Sequence, residues 1–124
     1  MAATTLSRPV IERLAQRFRA LGEPNRIAML AALRTGARSV SQLTLETGLG
    51  QANVSKHLNV LHQHGYVSRR KEGLNVIYEL SDNDVFRICD IVCGRLEREA
   101  QEWSGLLQAG TRPVTRAAKR GTRR

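Results

Sequence analysis

The span Ser39–Val67, SVSQLTLETGLGQANVSKHLNVLHQHGYV, constrains this chain most, because it reads as two short helices joined by a tight glycine turn. Ser39 can cap a helix whose third position is Gln42, the reciprocal arrangement that satisfies two orphan amides, and Leu43 gives that helix its inward contact. Gly48 stops it, since glycine just past a helix end takes the left-handed conformation without a Cβ penalty. Gly50 stands at the cap of the next helix, a weaker choice than Ser or Asp. Val54, Leu58 and Leu61 then fall at i, i+4 and i+7 and form one inward stripe, and Gly65 ends the helix. Gln51, Ala52, Asn53, Ser55, Lys56 and His57 remain near its start, mostly polar groups able to meet base edges and phosphates. A polar helix face on an apolar underside, preceded by a short helix and a sharp turn, is how a helix-turn-helix enters the major groove of DNA.

The flanking sequence extends this unit. Tyr66–Leu80, YVSRRKEGLNVIYEL, has the β-branched and aromatic content of a hairpin, with Val76, Tyr78 and Leu80 on one face and a turn over Lys71–Leu74. Arg69, Arg70 and Lys71 lie toward its tip, where this wing could meet phosphates or a minor groove. Upstream, Pro9 opens a helix with Val10, Leu14, Phe18 and Leu21 on one side, and Gly22 breaks it. Pro24 starts a second helix that carries Ile27, Leu30, Ala31 and Leu33 inward and ends near Gly36. Downstream, Ser81 can cap a last helix with Asp82 and Asp84 in its first turn, along which Val85, Ile88, Val92, Leu96, Trp103 and Leu107 recur at helical spacing. That stripe exceeds what a monomer of this size needs to cover. Together with the Val10–Leu21 helix it predicts a two-fold interface, which would set two recognition helices about 34 Å apart, one turn of DNA.

The predicted fold is mainly α, a winged helix-turn-helix of about five helices and a two-stranded wing. Residues 1–8 read as a mobile arm, 9–110 as one domain for DNA binding and dimerisation, and 111–124 as a disordered basic tail. Charge placement supports this division. Six of the 20 basic residues (Arg112, Arg116, Lys119, Arg120, Arg123 and Arg124) lie in the tail, so the body holds fourteen basic against eleven acidic residues, a net +3 out of the total +9. The tail reads as a solubilising, non-specific electrostatic arm, with a minor-groove reader as the alternative. No apolar run of about 18 residues and no signal-peptide pattern occurs, which predicts a soluble cytoplasmic protein with no membrane partner and with its two cysteines reduced.

Leu21-Gly22-Glu23-Pro24-Asn25-Arg26-Ile27 with Leu30 and Leu33, followed by Gln51, Val54-Ser55-Lys56-His57-Leu58, Leu61, Gly65 and Val67, resembles the ArsR/SmtB family of winged-helix repressors over roughly residues 9–107. The resemblance implies a homodimer that sits on a pseudo-palindromic operator and leaves it when a metal, arsenite or reactive sulfur species acts on the protein. The chain also departs from the family's pattern. Ser39-Val40-Ser41-Gln42-Leu43 lacks the cysteine pair that arsenite and cadmium sensors carry there, and Arg95 and Arg98 stand where zinc-sensing relatives place His and acidic ligands. The family's usual metal sites are therefore not expected, nor is a nickel or zinc role.

Cys89 and Cys93, at i and i+4 on the last helix, are the candidate sensor. Two readings stand side by side. Both can be small packing residues, or they can form a dithiol that holds a thiophilic ion or is oxidised, repacking the interface. His62 and His64 read as polar surface residues and His57 as oriented by phosphate or a neighbouring side chain. No nucleophile, base and oxyanion group form a catalytic constellation, and no glycine loop cradles phosphate, so no enzyme activity and no certain cofactor is expected. The predicted function is a homodimeric operator-binding repressor of double-stranded DNA. Its rival is a winged-helix adaptor or RNA-associated basic protein with structural cysteines.

Overall fold

Capping chemistry sets the helix boundaries in the structure, a computed structural model that describes residues 5–110. The proposed tail, 111–124, lies outside the described residues, as does half of the proposed arm, residues 1–4. The chain divides into two units between Asn83 and Asp84. In the first, helix α1 (Arg8–Leu21) begins one residue before the expected Pro9, with Ser7 in extended conformation as its cap. Proline in that first turn gives up an amide that would have no helical partner anyway. Helix α2 (Pro24–Leu33) is capped by Glu23, whose Oε1 accepts from the Arg26 amide at 2.9 Å.

Strand β1 (Arg38–Ser39) leads directly into helix α3 (Val40–Thr47). The capping box forms as the sequence predicts: the Gln42 amide donates to Ser39 Oγ at 3.1 Å and the Ser39 amide to Gln42 Oε1 at 2.8 Å. Gly48 then adopts φ 73°, and its amide reaches Thr44 O at 3.0 Å. Helix α4 (Gln51–Gln63) starts from Gly50. Its Val54, Leu58 and Leu61 are completely buried, as are Met29 of α2 and Leu43 of α3, with Leu30 and Leu33 nearly so. These seven side chains join α2, α3 and α4 into one core, and burying each Leu contributes on the order of 2 kcal/mol.

The wing is larger than expected. Strands β2 (Val67–Glu72) and β3 (Asn75–Leu80) pair antiparallel from Val67↔Leu80 to Glu72↔Asn75, leaving Gly73 and Leu74 alone as the turn, with Gly73 at φ 61°. The expected four-residue turn is thus two residues long, the length that keeps both strands paired to their ends. β1 also adds to the outer edge of β3 through Arg38↔Tyr78 and Ser39↔Ile77, so the sheet has three strands in the order β1-β3-β2. Two residues are too few to show a period of two in sequence, and Ser39 doubles as a helix cap.

Three further expectations are corrected. α2 ends at Leu33 rather than near Gly36, and it buries Met29 while Ile27 and Ala31 stay exposed. At 100° per residue Ile27 lies nearly opposite Met29, so one helix cannot bury both against the same core. Helix α5 (Asp84–Gln108) starts after Ser81 and Asp82, which therefore precede the helix instead of capping it and entering its first turn. α5 forms the second unit, 25 residues or about 37 Å of helix. Val85 and Phe86 are its buried residues.

Candidate nucleic-acid interface

Helix α4 is held from beneath by its aliphatic stripe, which leaves its opposite face outward. Gln51, Ala52, Asn53, Ser55 and Lys56 are all exposed there. The amides of its first turn point along the axis at the helix start, and Gly50 offers no side chain to cap them. Such a helix start favours anions and can approach phosphate.

His57 differs from its neighbours. It is half-buried, and its Nδ1 lies 3.2 Å from an Arg26 guanidinium nitrogen. Arg26 is itself anchored, with Nε donating to Ala20 O at 2.6 Å and a terminal nitrogen to Arg19 O at 3.3 Å. One side chain from α2 therefore closes the last turn of α1 and touches α4. The sequence reading allowed His57 a neighbouring side chain as partner without naming it. Arg26 sits 31 positions away, and periodicity carries no signal for such a contact.

A second arginine secures the other end of α4. Arg17 donates to the His64 carbonyl, its guanidinium lies over the Tyr66 ring, and the Tyr66 hydroxyl donates to Arg17 O at 3.0 Å. Partial burial pushes the Tyr66 pKa up, against a smaller downward pull from the Arg17 charge.

On the wing, Arg69, Arg70 and Lys71 are all exposed but not equivalent. Arg70 is committed to Glu72 at 2.7 Å and Glu79 at 3.0 Å, and the hydrogen bond to Glu72 raises its pKa further. By alternation along β2, Arg69 and Lys71 project from the opposite face of the ribbon. The sequence counted three equal charges; the structure pairs one of them internally.

On α5, Cys89 is half-buried and Cys93 exposed, one helical turn apart, with no disulfide between them. Among the described residues no three His, Cys, Asp or Glu side chains gather closely enough to hold a metal ion. His62 and His64 are half-buried. No helix among the described residues is long and apolar enough to cross a membrane.

Among the described residues, five helices, a three-stranded wing and an outward polar helix on a buried aliphatic base define a winged helix-turn-helix protein. Residues 23–69 match the family described as bacterial regulatory protein, arsR family. A probable mercury resistance operon repressor of Streptomyces lividans is 36% identical over 75 residues, 60% of this chain and 58% of that protein. An uncharacterized HTH-type transcriptional regulator of Methanocaldococcus jannaschii is 35% identical over 82 residues, 65% of this chain and 92% of its own length. The solution structure of a homodimeric winged helix-turn-helix DNA-binding domain from Mycobacterium bovis superposes with a TM-score of 0.66 at 26% identity, covering 78% of this chain and 91% of that one. The chain belongs to the arsR family of transcriptional regulators. These relatives are named as regulators or a repressor rather than as enzymes.

Proposed function

We propose that the chain acts as a homodimeric transcriptional repressor, with two copies of α4 entering successive major grooves of a pseudo-palindromic operator. The observation that carries this reading is the division of α4 into a fully buried underside at Val54, Leu58 and Leu61 and an exposed face at Gln51, Asn53, Ser55 and Lys56. Asn53 reads a base edge, while Lys56, Arg69 and Lys71 meet phosphate. His57 contributes from its half-buried position, and Arg70 supports the wing through its glutamates.

The dimer reading rests on apolar surface that each unit leaves uncovered. Val10, Ile11, Leu14 and Phe18 of α1 are 41–50% exposed, and Ile91, Val92, Leu96 and Trp103 of α5 are 54–75% exposed. A second copy is the occupant that also brings two recognition helices to one operator, and the related Mycobacterium bovis domain is described as homodimeric. Cys89 and Cys93 occur on the same helix, so a thiophilic ion, reactive sulfur or an oxidant acting on them would disturb the dimer and release DNA. The protein works in the cytoplasm, where both thiols stay reduced until that signal arrives.

A mobility-shift titration against duplexes from its own upstream region, at two salt concentrations, tests the proposal. Saturable, sequence-selective binding that survives moderate salt is expected. Binding that ignores sequence and vanishes with salt would replace it with a basic adaptor or an RNA-associated protein.

A further inference from the structure

We infer that Arg26 is a positioning residue that fixes His57 in its Nε2–H tautomer, so that the imidazole faces the duplex as a hydrogen-bond donor. The inference deepens, and rests on, the reading of α4 as the DNA-facing helix. A guanidinium has five N–H donors and no acceptor, and it keeps its charge at every pH the protein meets. The 3.2 Å approach of Arg26 to His57 Nδ1 is therefore a hydrogen bond only when Nδ1 carries a lone pair. The ring proton must then reside on Nε2. The other neutral tautomer and the imidazolium would both set N–H against N–H.

Arg26 has little freedom to turn away. Its Nε is held by Ala20 O at 2.6 Å, a terminal nitrogen by Arg19 O at 3.3 Å, and its own amide by Glu23 Oε1 at 2.9 Å. Two carbonyls of α1 thus hold one guanidinium from α2, and α4 presents His57 to it. Ring geometry directs the Nε2–H away from Arg26. A donor at that place suits a phosphate oxygen or the N7 and O6 of guanine, and it is mismatched to the amino groups of adenine and cytosine.

Long-range nitrogen–proton correlation spectra of the full-length, labelled protein at neutral pH report the tautomer directly, without DNA. The expected spectrum has a protonated Nε2 and an unprotonated Nδ1, moving toward tautomer exchange in Arg26→Met. In duplex titrations on its upstream region, His57→Phe should lose roughly threefold to tenfold in affinity, the worth of one hydrogen bond. His57→Gln, whose carbonyl can face Arg26 while its amide donates, should keep most of it. Should Arg26→Met fail to fold, the wild-type spectrum and the Gln and Phe pair still decide. A uniform loss on all duplexes places the acceptor on phosphate; a loss confined to one position places it on a base, and either supports the donor role. An Nδ1–H or imidazolium spectrum, or equal binding by His57→Phe and His57→Gln, would overturn the inference. Wild-type protein that binds no duplex would sink the DNA reading and the donor role with it, whereas an Nε2–H spectrum in that same protein would show the Arg26 arrangement intact.

Discussion

The Arg17 guanidinium lies 5.8 Å from the centre of the Tyr66 ring, and the Tyr66 hydroxyl returns a 3.0 Å hydrogen bond to the Arg17 carbonyl. This reciprocal pair ties α1 to the junction between α4 and the wing. Tyr66→Phe keeps the ring under Arg17 and removes only the hydroxyl, so it should cost about 0.5–1 kcal/mol in urea denaturation. Tyr66→Ala should cost about as much again through the lost cation–π contact. The raised folded pKa gives a second signature. The hydroxyl's contribution is fully present below the ordinary tyrosine range and is lost as pH climbs through the folded value, a dependence Tyr66→Phe should lack. Equal stability of wild type and Tyr66→Ala would show the pair to be ornamental.

Glu23 carries a pH dependence of the opposite sign. Its carboxylate caps α2, and the Arg26 amide, ahead of the opposing effect of desolvation, holds its pKa below the usual glutamate value. A depressed folded pKa stabilises the fold above the unfolded-state value and is lost as pH falls through the folded one. Stability measured by denaturation should therefore fall more steeply with acid in the wild type than in Glu23→Gln, beginning near pH 4.3 and continuing below it, about the unperturbed glutamate value. Parallel curves would remove Glu23 from the acid response.

The internal pairing of Arg70 ranks the wing substitutions. Arg69→Ala and Lys71→Ala should each flatten the plot of log affinity against log salt by about 0.9, the value for one lost phosphate contact. Arg70→Ala should change that slope less, because its charge already faces Glu72 and Glu79. A larger change in Arg70→Ala than in either neighbour would mean the glutamates release it on binding DNA.

Which parts were legible in sequence follows from the range of the signal. Ser39 with Gln42, Gly48, and Val54 with Leu58 and Leu61 act within a turn or two of helix, and the structure has each in the expected place. β1 leaves no signal in sequence, because its partner strand lies almost forty residues away and its two residues show no alternation. Periodicity alone does not choose Met29 over Ile27 and Ala31, because the buried face of α2 depends on where α3 and α4 pack, a tertiary fact. Arg26 with His57, Arg17 with Tyr66, and Arg70 with Glu79 are side-chain contacts whose partners the folding of the backbone selects.

Within α4, Lys56 and Asn53 should separate by kind. Both are exposed, but a Lys ammonium is a point charge suited to phosphate, whereas an Asn amide offers paired donor and acceptor groups to an adenine edge. Lys56→Ala should weaken binding evenly on all duplexes and reduce the salt dependence. Asn53→Ala should relax preference at one base position, worth about 1–3 kcal/mol. Indistinguishable losses in a binding assay over a library of single-base operator variants would contradict that split.

The cysteines supply the test of release. Cys89 and Cys93 stand one turn apart on a helix whose apolar side chains are widely exposed, so a reagent bridging them acts where a second copy would pack. Arsenite would condense with both thiols, each S–H proton leaving with an arsenic hydroxyl as water, to give a dithioarsenite that spans the turn. A third thiolate would come from the partner subunit or a small thiol. Cys89→Ser with Cys93→Ser should keep duplex affinity within about threefold, since neither side chain lies on α4 or the wing, while abolishing release by arsenite, persulfide or oxidant. The inducer must favour the released form by about 1.4 kcal/mol for every tenfold shift in occupancy. Release that persists in the double variant for all three reagents would return both cysteines to packing.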